Sequence, residues 1–70
     1  MGNGNQEPVK ILIEVLQQTD QATLISDGAV EVWVPHSLID FDSEIDGGSA
    51  VGVKGQMIVP QWFAEQEGLV

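Results

Sequence analysis

Between Val9 and Gln17 the chain alternates in steps of two, with Val9, Ile11, Ile13 and Val15 on one side of an extended backbone and Lys10, Leu12, Glu14 and Leu16 on the other. That period, with β-branched residues on the apolar side, specifies a strand rather than an amphipathic helix. Leu12 and Leu16 make the second side partly apolar as well, which predicts that both faces of the strand are covered. A strand of this kind is stable only when others pair with it, so the rest of the chain must supply partners.

The partners follow at short intervals. Thr19-Asp20 interrupts the alternation, and Gln21–Ile25 reads as a second, shorter strand. Ser26-Asp27-Gly28 then marks a hairpin turn, because glycine accepts positive φ at little cost. Ala29–Val34 is the third strand, with Val30, Val32 and Val34 on one face and Glu31 and Trp33 on the other. Pro35 ends it, since proline has no N–H for a ladder. His36–Ile39 reads as a turn or single helical turn, Asp40–Asp46 as an acidic connector, and Gly47-Gly48-Ser49 as a breaker. Ala50–Val53 and Gln56–Val59 are expected as two further short strands joined at Lys54-Gly55.

The C-terminal segment changes character. Pro60 suits a first helical turn, the residues from Gln61 to Glu67 are good helix formers, and Gly68 is placed to end the helix with Leu69 packing back. A helix of about two turns cannot stand alone and must dock Trp62, Phe63 or Leu69 onto the sheet. The expected organisation is a mobile Gly/Asn/Gln-rich tail over residues 1–8, then one domain over 9–70 with a helix at about 60–67. The fold class is mainly β. The strands form a small bent antiparallel sheet, or a partly open SH3- or OB-like barrel, of about five strands.

Charge limits the partners more than the fold. Eleven acids face two basic residues, Lys10 and Lys54, for a net charge of −9. Nucleic-acid binders need cations to displace the counterions of phosphate, so direct binding to DNA or RNA is disfavoured. Anionic membrane surfaces are disfavoured on the same ground, and no segment approaches the roughly 18 apolar residues of a membrane span. Proteins with basic surfaces remain. There is no cysteine, so neither disulfides nor cysteine-bound zinc can supplement a small core; a reducing cytoplasm is the expected setting.

Two stretches have a more specific likeness. Val32-Trp33-Val34-Pro35-His36-Ser37-Leu38-Ile39 and Val59-Pro60-Gln61-Trp62-Phe63-Ala64-Glu65-Gln66-Glu67-Gly68-Leu69 together resemble a group of small uncharacterised phage and prophage proteins. In that group a strand ends in Trp-aliphatic-Pro-Lys-Ser, an acidic connector follows, and aliphatic-Pro-x-Trp-Leu-Ala precedes a terminal Gly-Leu. The likeness covers about residues 9–70. It implies a phage or mobile-element origin and a compact β domain with a terminal helix, and it carries over no activity. Where the pattern has lysine, this chain has His36.

Several residue groups are candidates for function. Asp40, Asp42, Glu44 and Asp46 alternate like the ligands of a calcium loop, but the central glycine of an EF-hand would fall at Ile45 and its closing glutamate at Val51. The same spacing along an extended segment can imitate a nucleic-acid backbone and occupy a basic groove, or it can be a solvated connector. Asp27 and Glu31 are candidate extensions of that acidic patch. Trp33 is either a binding anchor or a landing site for the terminal helix, and the need of so short a helix for apolar support favours the second. His36, Ser37 and Asp40 contain the residue types of a catalytic triad, but real triads draw on separated elements and a pocket. His36 is expected to be exposed, and Ser37 to cap the turn after Pro35. Gly47-Gly48 lacks the Lys-Ser/Thr of a phosphate loop.

The reading is of a binding protein, not an enzyme, with no cofactor and no metal. Asp40, Asp42, Glu44, Asp46, Trp33, Glu31 and Asp27 are its partner-binding residues. The partner is a protein with a basic surface, to which the chain acts as an inhibitor or nucleic-acid mimic. The alternative is a single-stranded nucleic-acid accessory domain using an exposed aromatic. Nothing in the sequence fixes the oligomeric state.

Overall fold

A computed structural model describes residues 7–70. Four strands form one antiparallel sheet: β1 (Pro8–Gln18), β2 (Ala22–Ser26), β3 (Glu31–Pro35) and β4 (Lys54–Pro60), in the order β3-β2-β1-β4. A single 3₁₀ turn, His36–Leu38, follows β3, and a six-residue helix, α1 (Gln61–Gln66), follows β4. The chain is thus mainly β, and the sheet is open. Residues 1–6 of the expected tail lie outside the described residues. Glu7 and Pro8 belong to the fold, since Pro8 begins β1 and the Glu7 carbonyl accepts the Gln61 N–H at 2.9 Å.

The central strand is the one with the clearest alternation. β1 pairs with β4 from Pro8↔Pro60 to Glu14↔Lys54, and with β2 from Glu14↔Ser26 to Gln18↔Thr23 across a bulge between Val15 and Gln17. The β2–β3 hairpin closes through the Asp27 N–H to the Val30 carbonyl, and Gly28 takes φ +98°. That is the positive φ expected of the Asp-Gly turn.

The expected strand Ala50–Val53 does not form. Val53 N–H returns to the Ala50 carbonyl in a turn that sits against Val15, and Lys54-Gly55, expected as a joint, lies inside β4. One strand replaces the two that were expected, giving four rather than about five.

The core lies on one face of the sheet. Ile11, Ile13, Val15, Ile25, Val32, Val34, Met57 and Val59 point into it, and Phe63, Ala64 and Leu69 close it from the helical end. Pro60 stands just before the helix rather than inside its first turn. Gly68, at φ +78°, lets its own N–H reach the Glu65 carbonyl and the Leu69 N–H reach the Ala64 carbonyl. This is the reciprocal pair of bonds by which a glycine ends a helix, and it turns Leu69 into the core.

Candidate functional site

The opposite face of the sheet is open to solvent except at Ile58 of β4, which pairs with Lys10 and is buried. Lys10, Leu12 and Glu14 of β1, Leu24 and Ser26 of β2, Glu31 and Trp33 of β3, and Lys54 and Gln56 of β4 alternate with the core residues and share this outer face. Trp33 stands directly across from Leu24 and remains 45% exposed, while Leu12 is 78% exposed. Two expectations fail here. The face bearing Leu12 is not covered, and α1 does not land on Trp33. The helix packs against β1 and β4 on the core side, because Pro60 turns the chain toward the face where Met57 and Val59 are buried. Trp62, half-buried, meets Phe63 edge to face at 5.8 Å.

Around Trp33 the charge is negative. Glu31 occupies the same strand and face, and Asp27 holds the adjoining turn. Asp27 Oδ1 accepts the Val30 N–H at 2.9 Å and the Ala29 N–H at 2.8 Å. These bonds, Val30's foremost, hold its carboxyl below the usual carboxylate range. An open groove of about 460 Å³ runs from this turn across the middle of the outer face, between Asp27, Ser26, Leu12, Glu14 and Lys54.

The connector acids lie elsewhere and have structural duties. From Ser43 to Asp46 the connector runs beside β4, with Ser43 and Ile45 turned inward and Glu44 and Asp46 outward. Ser43 Oγ accepts the Ile58 N–H at 2.8 Å, and Glu44 Oε1 accepts the Gln56 N–H at 3.1 Å. In return the Ile58 and Gln56 carbonyls accept the N–H groups of Asp40 and Ile45. The outward-facing backbone of Gln56 and Ile58 is thereby satisfied, which covers that part of the β4 edge.

Asp40 Oδ1 accepts the Asp42 N–H and Asp46 Oδ1 the Gly48 N–H, so both carboxylates fold their own turns. All four acids stay exposed, Asp40 and Glu44 beside β4 and Asp46 over the end of β1, where its carbonyl accepts from Gln18, whereas Glu31 and Trp33 stand on β3. Among the described residues, no group of three or more His, Asp or Glu side chains is arranged to hold a metal ion.

His36 is half-buried, not exposed as expected, and binds neither Ser37 nor Asp40. Its Nε2 lies 3.0 Å from Thr23 Oγ1. Gln18 Nε2 donates to the carbonyls of Asp46 and Ser49, so its Oε1 must face Thr23, at 2.6 Å. A carbonyl can only accept. Thr23 therefore gives its one proton to Gln18, and His36 Nε2 must be the donor to Thr23. Thr23 is fully buried at this point. The sequence offers no signal for the network, whose members come from β1, β2, the 3₁₀ turn and the glycine loop. Ser37 makes no capping bond to the 3₁₀ turn, contrary to expectation.

No helix among the described residues is long and apolar enough to cross a membrane. Comparison with protein-family models, curated proteins and solved structures found no match to this chain.

Proposed function

We propose that this chain is a protein-binding module that engages a basic partner surface through the outer face of its sheet. The observation that carries this reading is the solvent-exposed pair Trp33 and Leu12 on a face that also bears Glu14 and Glu31. Tryptophan is enriched among the few residues that carry binding energy, and a rim of acids selects basic partners and speeds encounter. Asp27 extends this rim. Asp40, Asp42, Glu44 and Asp46 add long-range attraction from the connector, and a nucleic-acid-like spacing of charge would suit an inhibitor of a DNA- or RNA-handling protein. The setting we infer is a phage or mobile element acting in its host's cytoplasm.

The test is a titration of a basic host nuclease or polymerase against salt. Trp33→Ala should weaken binding at least about tenfold, and Glu31→Gln with Asp27→Asn should flatten the salt dependence. Affinity indifferent to ionic strength and to all three substitutions would end the proposal.

A second reading is favoured by one observation: Lys10 and Lys54, the only basic residues of the chain, share the outer face with Trp33. That arrangement could stack and neutralise a short single strand. Retention on single-stranded DNA at moderate salt, lost in Trp33→Ala, would support it. Lack of retention would exclude it.

A further inference from the structure

The two ends of the sheet are finished differently. In an antiparallel ladder, residues alternate between those whose backbone groups face the partner and those whose groups face away. The His36 N–H to Gln21 carbonyl bond and the Asp27 N–H to Val30 carbonyl bond fix that phase for the β2–β3 pair. Val32 and Val34 therefore bond to β2, and Glu31, Trp33 and Pro35 turn their backbones outward. At β4 the equivalent outward groups of Gln56 and Ile58 are taken by the connector. Among the described residues nothing takes those of Glu31 and Trp33.

We propose that the outer border of β3 accepts an extended basic segment of the partner protein as an added strand. This rests on the binding reading above and specifies its geometry. Strand addition draws affinity from main-chain hydrogen bonds and specificity from alternate side chains. Here the N–H groups of Glu31 and Trp33 are the donors, and Pro35 sets the limit of the border because it offers none. Side chains of the added strand on the outer face fall beside Glu31 and Trp33, where lysine or arginine pairs with the carboxylate and lies on the indole. Those on the inner face fall beside Val32 and Val34, where only aliphatic residues fit.

The segment thus alternates basic and aliphatic residues. A second copy of this chain is a poor occupant, since two β3 borders would bring Glu31 against Glu31 between molecules of net charge −9 each. Among the described residues the β2 side of β1 before Glu14, where β2 has ended, is also unpaired. It carries Lys10, which repels a basic segment.

The probe is a blocked alternating peptide, Lys-Val-Lys-Val-Lys-Val, titrated into isotopically labelled full-length chain, with a second peptide N-methylated at alternate residues. Strand addition predicts that the Glu31 and Trp33 amides exchange with solvent at least about tenfold more slowly, and that methylation on the bonding side abolishes this. If the peptide perturbs the Trp33 side chain while both amides stay unprotected, the border proposal fails and the face reading stands. Protection at Lys10 and Leu12 instead would also overturn it. Absence of any binding would overturn both.

Discussion

The Cα of Gly47 lies directly against the imidazole of His36: a methyl group added there would stand 2.7 Å from Cε1 and 2.8 Å from Nδ1. The ring cannot retreat freely, because its Nε2 is held on the buried Thr23 hydroxyl. Gly47→Ala should therefore cost about 1–3 kcal/mol, as overpacking does. Truncating the ring relieves the clash, so the double variant with His36→Ala should lose less than the two single losses combined. Urea unfolding of the four proteins checks this, and strict additivity would contradict it.

Two apolar residues of the connector should behave oppositely. Ile45 is 2% exposed and Phe41 94%. Ile45→Ala should cost about 2–4 kcal/mol, most of what a domain of this size holds in reserve. Phe41→Ala should stay within about 0.5 kcal/mol. Thermal unfolding separates the two directly.

Ser43→Ala removes the acceptor of the half-buried Ile58 N–H. A loss of about 1–3 kcal/mol is expected, whereas Ser43→Thr, which keeps the oxygen, should recover most of it. Equal stability of the alanine variant and the parent would show that solvent replaces the hydroxyl.

Trp33 and Trp62 should be distinguishable by emission. In Trp62→Phe, the remaining Trp33 should emit at longer wavelength and be quenched readily by acrylamide. In Trp33→Phe, the half-buried Trp62 should be shielded. Similar quenching in both would place Trp33 under cover.

Asp27 makes a pH prediction. Its carboxyl is held below the usual range by the Val30 and Ala29 N–H groups, so the ionised form favours the folded state. That contribution is complete above the ordinary carboxylate range and disappears as pH falls through the lowered value in the folded protein. Asp27→Asn keeps an oxygen for the turn but not the charge. The parent should melt above this variant at neutral pH, and the gap should close on acidification. A gap independent of pH would contradict the assignment.

Much of the fold was legible in local chemistry. The alternation from Val9 to Val15 identifies the central strand, Asp27-Gly28 the β2–β3 hairpin, and Pro60 with Gly68 the limits of the helix. Positions decided by distant partners were not. Phe41 and Ile45 sit in the same acidic run, and only the course of that run along β4 buries one and exposes the other. Gly52 and the bonds to Val15 turned an apparent strand into a loop. His36 is drawn inward by Thr23 and by the room at Gly47, neither near it in sequence. Trp33 lies on the face its alternation gives it, opposite the valines, but the direction in which α1 folds depends on where Met57 and Val59 are buried. Hence the placement of Trp33 and Glu31 on one face is legible in the alternation, and the openness of that face is not.

The connector's hold on β4 has a further consequence for assembly. Growth of a sheet from molecule to molecule needs two receptive ends, one to add to and one to pass the addition on. This sheet has the outward Gln56 and Ile58 groups at its β4 end occupied by its own connector, so copies of the chain cannot pass an addition at β3 on through β4. An open border at β3 opposite a covered β4 is therefore poorly suited to end-to-end growth of this chain into fibres.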